Sequence, residues 1–462
     1  MTTLSPIDAL FLGVETAELP AHVAGVQIYQ LPRGKSSRWL QQLMETLRKK
    51  PAGSPFNLRL KPSSIGLPQM IEDPDFDIDY HLRHIVLPAP GSEEQLAAEV
   101  ARLHSNLLDR DRPLWEFHLI EGLSDRRFAF YIKIHHAICD GATFAMWMAD
   151  ATSKGADGVA HPIWERVHAP QGGTPRPWLE ALQAPVSVAQ KTRELSLGLG
   201  RYALNVARGR LIDKDSQIAL PLSGPQTALN GALTASRNLA FLDFPLDELK
   251  AIGKTVDGTI NDVVLAISDA AVLRYLSEQG QQPEKPLVAA VPVNLRKAGE
   301  SVEGNFVTSL QVKLGQAGQT PLERLRTIRH GVRKARELCD DVPASATQVV
   351  SFGTAILAAL GSALHLEGVM PPPINVIVSN VPGPREQRYF GGAKLEATYP
   401  VSGIAPMTAL NVTVFSYNGT LYFGLTSARR MMPQLNDLKL CFEEIYEEFR
   451  QDLLPTPHKA LA

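Results

Sequence analysis

The chain has 462 residues, 44% hydrophobic and 20% charged, with a formal net charge of −2. That length suits two domains of about 200 residues each, and a near-neutral balance excludes a general electrostatic pull toward nucleic acid. Three scattered cysteines, Cys139, Cys339 and Cys441, make neither a disulfide framework nor a zinc spacing, which fits a reducing cytosol.

The N-terminal "MTTLSPIDALFLGVETAELP" lacks the basic start and clean apolar core of a signal peptide. "GVQIYQL" (25–31) reads as a strand, and "SSRWLQQLMETLRKK" (36–50) places Trp39, Leu40, Leu43 and Leu47 on one helical face. "SEEQLAAEVARLHSNLL" (92–108) opens with a Ser92…Gln95 capping box. "PLWEFHLIEGL" and "RRFAFYIKI" follow as two strands joined by a turn around Gly122 to Asp125. A helix, "GATFAMWMAD", comes next. From about 153 to 235 the chain is turn-rich, around one helical stretch with Arg193, Arg201, Arg208 and Arg210. Those arginines are a solvated face or a contact for phosphate or anionic lipid.

The second half returns to alternation. Its strand-like runs are "RNLAFLDF", "KPLVAAVPV", "NFVTSLQVKL", "PINVIVSNV", "ALNVTVFSY" and "TLYFGLTSA". Helix-like runs begin at Asn261, Pro321 and Asn436. The apolar stretch Val349–Leu366 is broken by Ser, Gly and Thr, and predicts a buried or interfacial helix, not a membrane span. The expected architecture is therefore α/β: an N-terminal domain (1–155), a crossing linker (156–235) and a C-terminal domain (236–462). Two such domains make a cleft at their interface.

"YIKIHHAICDGATF" (131–144) sets two histidines where a strand gives way to a helix. Side chains alternate along a strand, so His135 and His136 face opposite ways, one toward the cleft and one into the protein. An imidazole is the usual base for a hydroxyl or thiol proton. Asp140 organises the turn, and its plainest role is N-cap of the following helix. Gly141 removes a Cβ where substrate or backbone comes near. The residues alone leave a reaction centre and a well-capped turn both open.

"HHAICDG" resembles the HHxxxDG signature of the CoA-dependent acyltransferases. "LSPIDALFLGVET", "HVAGVQIY", "RPLWEFHLIEGL", "TINDVVLA", "VPVNLR…GN" and "NVIVSNVPGP" together resemble one branch, the bacterial wax ester synthase/acyl-CoA:diacylglycerol acyltransferases. The resemblance implies two chloramphenicol acetyltransferase-like domains, each a mixed sheet flanked by helices, with an active-site tunnel between them. It implies transfer of a fatty acyl group from acyl-CoA, a substrate and not a cofactor, to a fatty alcohol or diacylglycerol. No cofactor, metal or nucleic acid is implied.

By the same resemblance, His136 is the general base, with Asp140 and Asn261 completing the catalytic set. Asn261 is the expected oxyanion donor; without the resemblance, Thr259 and Asp262 read as a helix cap with Asn261 in its first turn. His135, Gly141, Asp262 and Arg296 are supporting residues, Arg296 as the partner of Asp140. Trp115 and Glu116 rank as fold residues, one core packing and one a buried partner, and "SNVPGP" as a rigid loop. Val349–Leu366 is a candidate tunnel wall or docking helix, with core packing the simpler account. The expected location is cytoplasmic, peripheral at the inner membrane or a lipid-droplet surface. Two other readings share the motif or fold: a condensation-type enzyme using carrier-protein thioesters, and a non-enzymatic lipid-droplet-binding protein. A serine hydrolase is a poor third reading, since no G-x-S-x-G elbow appears.

Overall fold

The computed structural model describes residues 2–61, 66–159, 161–165, 196–208, 218–220, 222–294, 307–339 and 342–454. Arg193, Arg210 and Arg296 lie outside these residues, as does most of the expected linker. Local signals place the first elements. Ser5 and Asp8 cap Pro6–Val14 reciprocally, and Ser92 and Gln95 do the same for Glu93–His104. Ser37–Arg48 buries Leu40, Leu43, Met44 and Leu47, the face that its 3.6-residue period marks out.

Two six-stranded sheets carry the molecule. The first runs Tyr389–Phe390, Ala393–Val401, His22–Gln30, Arg127–His135, Trp115–Leu123, Leu82–Val86. The second runs Val307–Lys313, Val288–Asn294, Val376–Val381, Leu410–Tyr417, Thr420–Ala428, Arg237–Pro245. Both are mixed. Leu82–Val86 is the parallel strand of the first, and Val376–Val381 is parallel to both its neighbours in the second. A separate three-stranded sheet joins Thr2–Thr3, Gln69–Glu72 and Leu58–Lys61.

The first sheet borrows the two strands at one edge, Tyr389–Phe390 and Ala393–Val401, from the second half of the chain. Sequence pattern does not predict Ala393–Val401 as a strand, because Pro400 and the shift in register between Leu395 and Ala397 blur its alternation. Its place follows from an edge that needs covering. Eight of the nine residues of His22–Gln30 are buried, and an open apolar edge there invites association. Residues 389–401 therefore leave the expected C-terminal domain and lie against the second sheet while pairing in the first. Gly424 permits that approach, since a Cβ there would collide with the Pro400 carbonyl.

Each sheet has its own core. Trp115 stacks on Trp164 and on His81, and its Nε1 donates to the Phe56 carbonyl at 2.8 Å, so it is a fold residue. Glu116 faces Lys133 directly across two strands. The Lys133 ammonium is fully buried, donating to the carbonyls of Leu103 and Asn106 and lying 3.3 Å from Glu116 Oε2. His118 Nε2 lies 3.1 Å from the same carboxylate. In the second half, Ile260–Glu278 is buried on nearly every side, among the second sheet and Leu435–Leu453.

Candidate active site

Arg127–His135 ends where His135 takes the backbone N–H of Ala137 on its Nδ1, at 3.0 Å. An N–H can only donate, so the His135 proton sits on Nε2. That nitrogen lies 3.3 Å from Glu15 Oε1, and both side chains are buried. The Glu15 carboxyl is pushed up by burial, yet His135, Ala21 and Arg110 together hold it at about 2, so it stays ionised. His135 thus faces the protein interior.

His136 faces the other way. It lines a cavity of about 380 Å³ between the two halves of the molecule. The first half supplies Leu10, Phe11 and Val14 of Pro6–Val14, then Leu19–Val23, His136, Gly141 and Ala142. From the second half come Phe352, Ala355, Ile356 and Ala359 of Ala344–Ala363, with the end of Val376–Val381, residues 402–406, Asn411 and Thr413. Most of these side chains are apolar. Its side-chain hydrogen-bonding groups are His22, His136, Ser379, Asn380, Ser402, Asn411 and Thr413, with the Asn411 amide already donating to the Gly403 carbonyl at 2.6 Å.

The Phe11 ring stacks on the His136 imidazole at 4.1 Å. His136 Nδ1 is buried, and the residue lines the cavity. Burial lowers the His136 pKa below 6.5, opposed by the negative charges of Asp140 and Asp8 and reinforced by His135. A neutral imidazole at physiological pH is a competent base.

The other expected site residues fall as follows. Asp140 is buried and caps Gly141–Asp150, accepting the Thr143 N–H at 2.8 Å. Its expected partner, Arg296, lies outside the described residues. Gly141 borders both the main cavity and a smaller pocket past Gly25, Phe144 and Met148, and a Cβ there would stand 3.8 Å from the Val381 side chain. Asp262 forms the reciprocal cap with Thr259. Asn261 sits in that first helical turn, and the structure does not bring it among the residues lining the cavity with His136. Among the described residues, no group of three His, Cys, Asp or Glu is placed to hold a metal ion.

Sequence reasoning missed Glu15 and Phe11. Their four-residue spacing is one helical turn, but nothing local says that the turn closes on residues 135 and 136.

Two mixed sheets meeting over a histidine-bearing cavity define a chloramphenicol acetyltransferase-like fold. The first condensation domain of the calcium-dependent antibiotic synthetase shares it, with a TM-score of 0.58 at 17% identity over 98% of this chain and 97% of that one. The family is narrower. Residues 4–264 match the model of the wax ester synthase/diacylglycerol acyltransferase catalytic domain, and residues 303–450 match that family's C-terminal domain. An O-acyltransferase of Acinetobacter baylyi is 33% identical over 97% of each chain. A probable diacylglycerol O-acyltransferase of Mycobacterium tuberculosis is 35% identical, over 98% of this chain and 99% of its own. The solved wax ester synthase/diacylglycerol acyltransferase of Marinobacter aquaeolei superposes with a TM-score of 0.74 at 34% identity, over 98% and 100% of the two chains. The chain belongs to the wax ester synthase/diacylglycerol acyltransferase family.

Proposed function

We propose that this chain transfers a fatty acyl group from acyl-CoA to the hydroxyl of a long-chain alcohol or diacylglycerol, with His136 as general base. The observation that carries this reading is the His136 imidazole on the wall of a largely apolar cavity built from both halves. The imidazole takes the acceptor's hydroxyl proton as that oxygen attacks the thioester carbonyl. The tetrahedral oxyanion then collapses, the C–S bond breaks, and the imidazolium returns the proton to the departing thiolate. Donors on the cavity wall, Ser379 and Asn380 among them, are available to the oxyanion. Supplied with palmitoyl-CoA and equal hexadecanol and dipalmitoylglycerol, the protein should form an ester and one free CoA per ester, separable by chromatography. CoA release with no acylated product from either acceptor would refute the reading.

We further propose that the protein works at a lipid surface. One face of Ala344–Ala363 lines the cavity, while Leu357, Leu360 and Leu364 beside it are 50%, 53% and 67% exposed. By length and composition Ala346–Ala363 is apolar enough to cross a membrane, with a mean hydropathy of 1.4, yet here it is a cavity wall. The helix at 196–208 packs on it through Gly198, against Ala346 and Pro343, and exposes Leu197 and Leu204 together with Arg201 and Arg208. Apolar side chains with flanking arginines suit an anionic interface. A Leu360→Ser/Leu364→Ser variant should stop floating with vesicles of phosphatidylglycerol and phosphatidylcholine while keeping its rate on dispersed decanol. Unchanged flotation would count against this face.

A further inference from the structure

The block "LSPIDALFLGVET" has no part in the proton transfers above, yet its residues touch both histidines. Phe11 and Glu15 are one turn apart. The Phe11 ring lies on the His136 imidazole at 4.1 Å and 12° between planes. Its edge meets Phe352, on the opposite wall of the cavity, at 6.4 Å.

Glu15, the first residue past Pro6–Val14, divides its carboxylate between two tasks. Oε1 accepts the Ala21 N–H at 3.0 Å and lies 3.3 Å from His135 Nε2. The Ala21 carbonyl in turn accepts the backbone N–H of His136 at 2.9 Å. On the other side, Oε2 accepts from Arg110 Nη2 at 3.0 Å, and that nitrogen also donates to the Leu12 carbonyl at 2.7 Å. One carboxylate therefore fastens the helix end, the first histidine's ring and, through Ala21, the second histidine's backbone.

We propose that Pro6–Val14 and its cap are a clamp for the general base, in which Phe11 and Glu15 are positioning residues that hold the His136 imidazole in its reactive orientation. This rests on the reading of His136 as the base. An imidazole turns about two side-chain torsions, and rotation about the second swings Nε2 away from an acceptor hydroxyl. Backbone anchoring fixes where the ring starts, and the stacked phenyl fixes its plane. The phenyl face also lies against the imidazolium formed when the proton is taken, a favourable cation–π arrangement.

The clamp predicts a split between turnover and binding. Phe11→Leu and Glu15→Gln should each lower kcat by about 10- to 100-fold while KM for acyl-CoA and hexadecanol stays within about two-fold, the pattern of lost positioning and not of lost binding. Phe11→Tyr, which keeps the stacked ring, should retain most of the turnover. In the folded protein, the His136 Cε1–H proton resonance should move downfield in Phe11→Leu as the ring current is removed. Wild-type kcat in Phe11→Leu with an unmoved resonance would overturn the clamp. So would a loss confined to KM. If Glu15→Gln does not fold, Phe11→Leu, a change at a half-buried side chain, decides alone. His136→Ala separates the two readings: if it is inactive while Phe11→Leu and Glu15→Gln are normal, only the clamp fails; if it turns over normally, the base reading fails with it.

Discussion

Replacing His136 with alanine is expected to lower kcat by about 10²- to 10⁴-fold and to leave the fold intact, the range that a positioned general base contributes. The side chain is partly exposed and lines the cavity, so its removal costs little packing. The wild-type pH profile provides a second check. Burial lowers the His136 pKa below 6.5; Asp140 and Asp8 pull it back up, and His135 pushes it further down. The base works when neutral. Activity should therefore rise with pH along a limb lying below pH 6.5 and be complete at neutrality. Asp140→Asn removes the strongest charge favouring the imidazolium and should move that limb to lower pH. A limb above pH 7, or an alanine variant with wild-type turnover, is incompatible with His136 as the base.

The largest stability effect is expected at Glu116. Glu116→Gln leaves the fully buried Lys133 ammonium without its counter-ion, a change that costs about 3–5 kcal/mol. Urea unfolding measures it directly. Replacing both partners, as Glu116→Gln with Lys133→Met, should recover much of the loss, because an apolar stem asks nothing of the buried carboxamide. The pH dependence has a definite sign. Burial pushes the Glu116 carboxyl up, but His118, Lys133 and Arg83 hold it at about 2, against the usual 4.5. The lowered folded-state value means that the stabilisation is complete above pH 4.5 and is lost as pH falls toward 2. A Glu116→Gln protein as stable as wild type at neutral pH would show that the Lys133 charge is not held there.

Much of this molecule is decided within a few residues of chain. The Ser92–Gln95 and Thr259–Asp262 caps and the Asp140 N-cap each close through hydrogen bonds spanning three residues, so residue type and spacing are enough to read them. The buried face of Ser37–Arg48 follows from helical period, and the opposite facing of His135 and His136 from strand alternation. The family blocks fall in chain order and are legible for the same reason: each is a local string.

What the sequence leaves open are the meetings between distant strings. Glu15 reaches His135 across 120 positions, and Phe352 faces Phe11 across a cavity whose walls come from both halves. Ala393–Val401 changes sheets because the apolar edge of His22–Gln30 needs a partner, a demand made by residues some 370 positions away. Asn261, read beside Asp262 as one motif, stays in its helical turn off the cavity wall. Local chemistry determined the caps and the opposite facing of the two histidines. Only packing decided what stands against them, because a side chain's neighbours across a cavity depend on how whole sheets settle on each other.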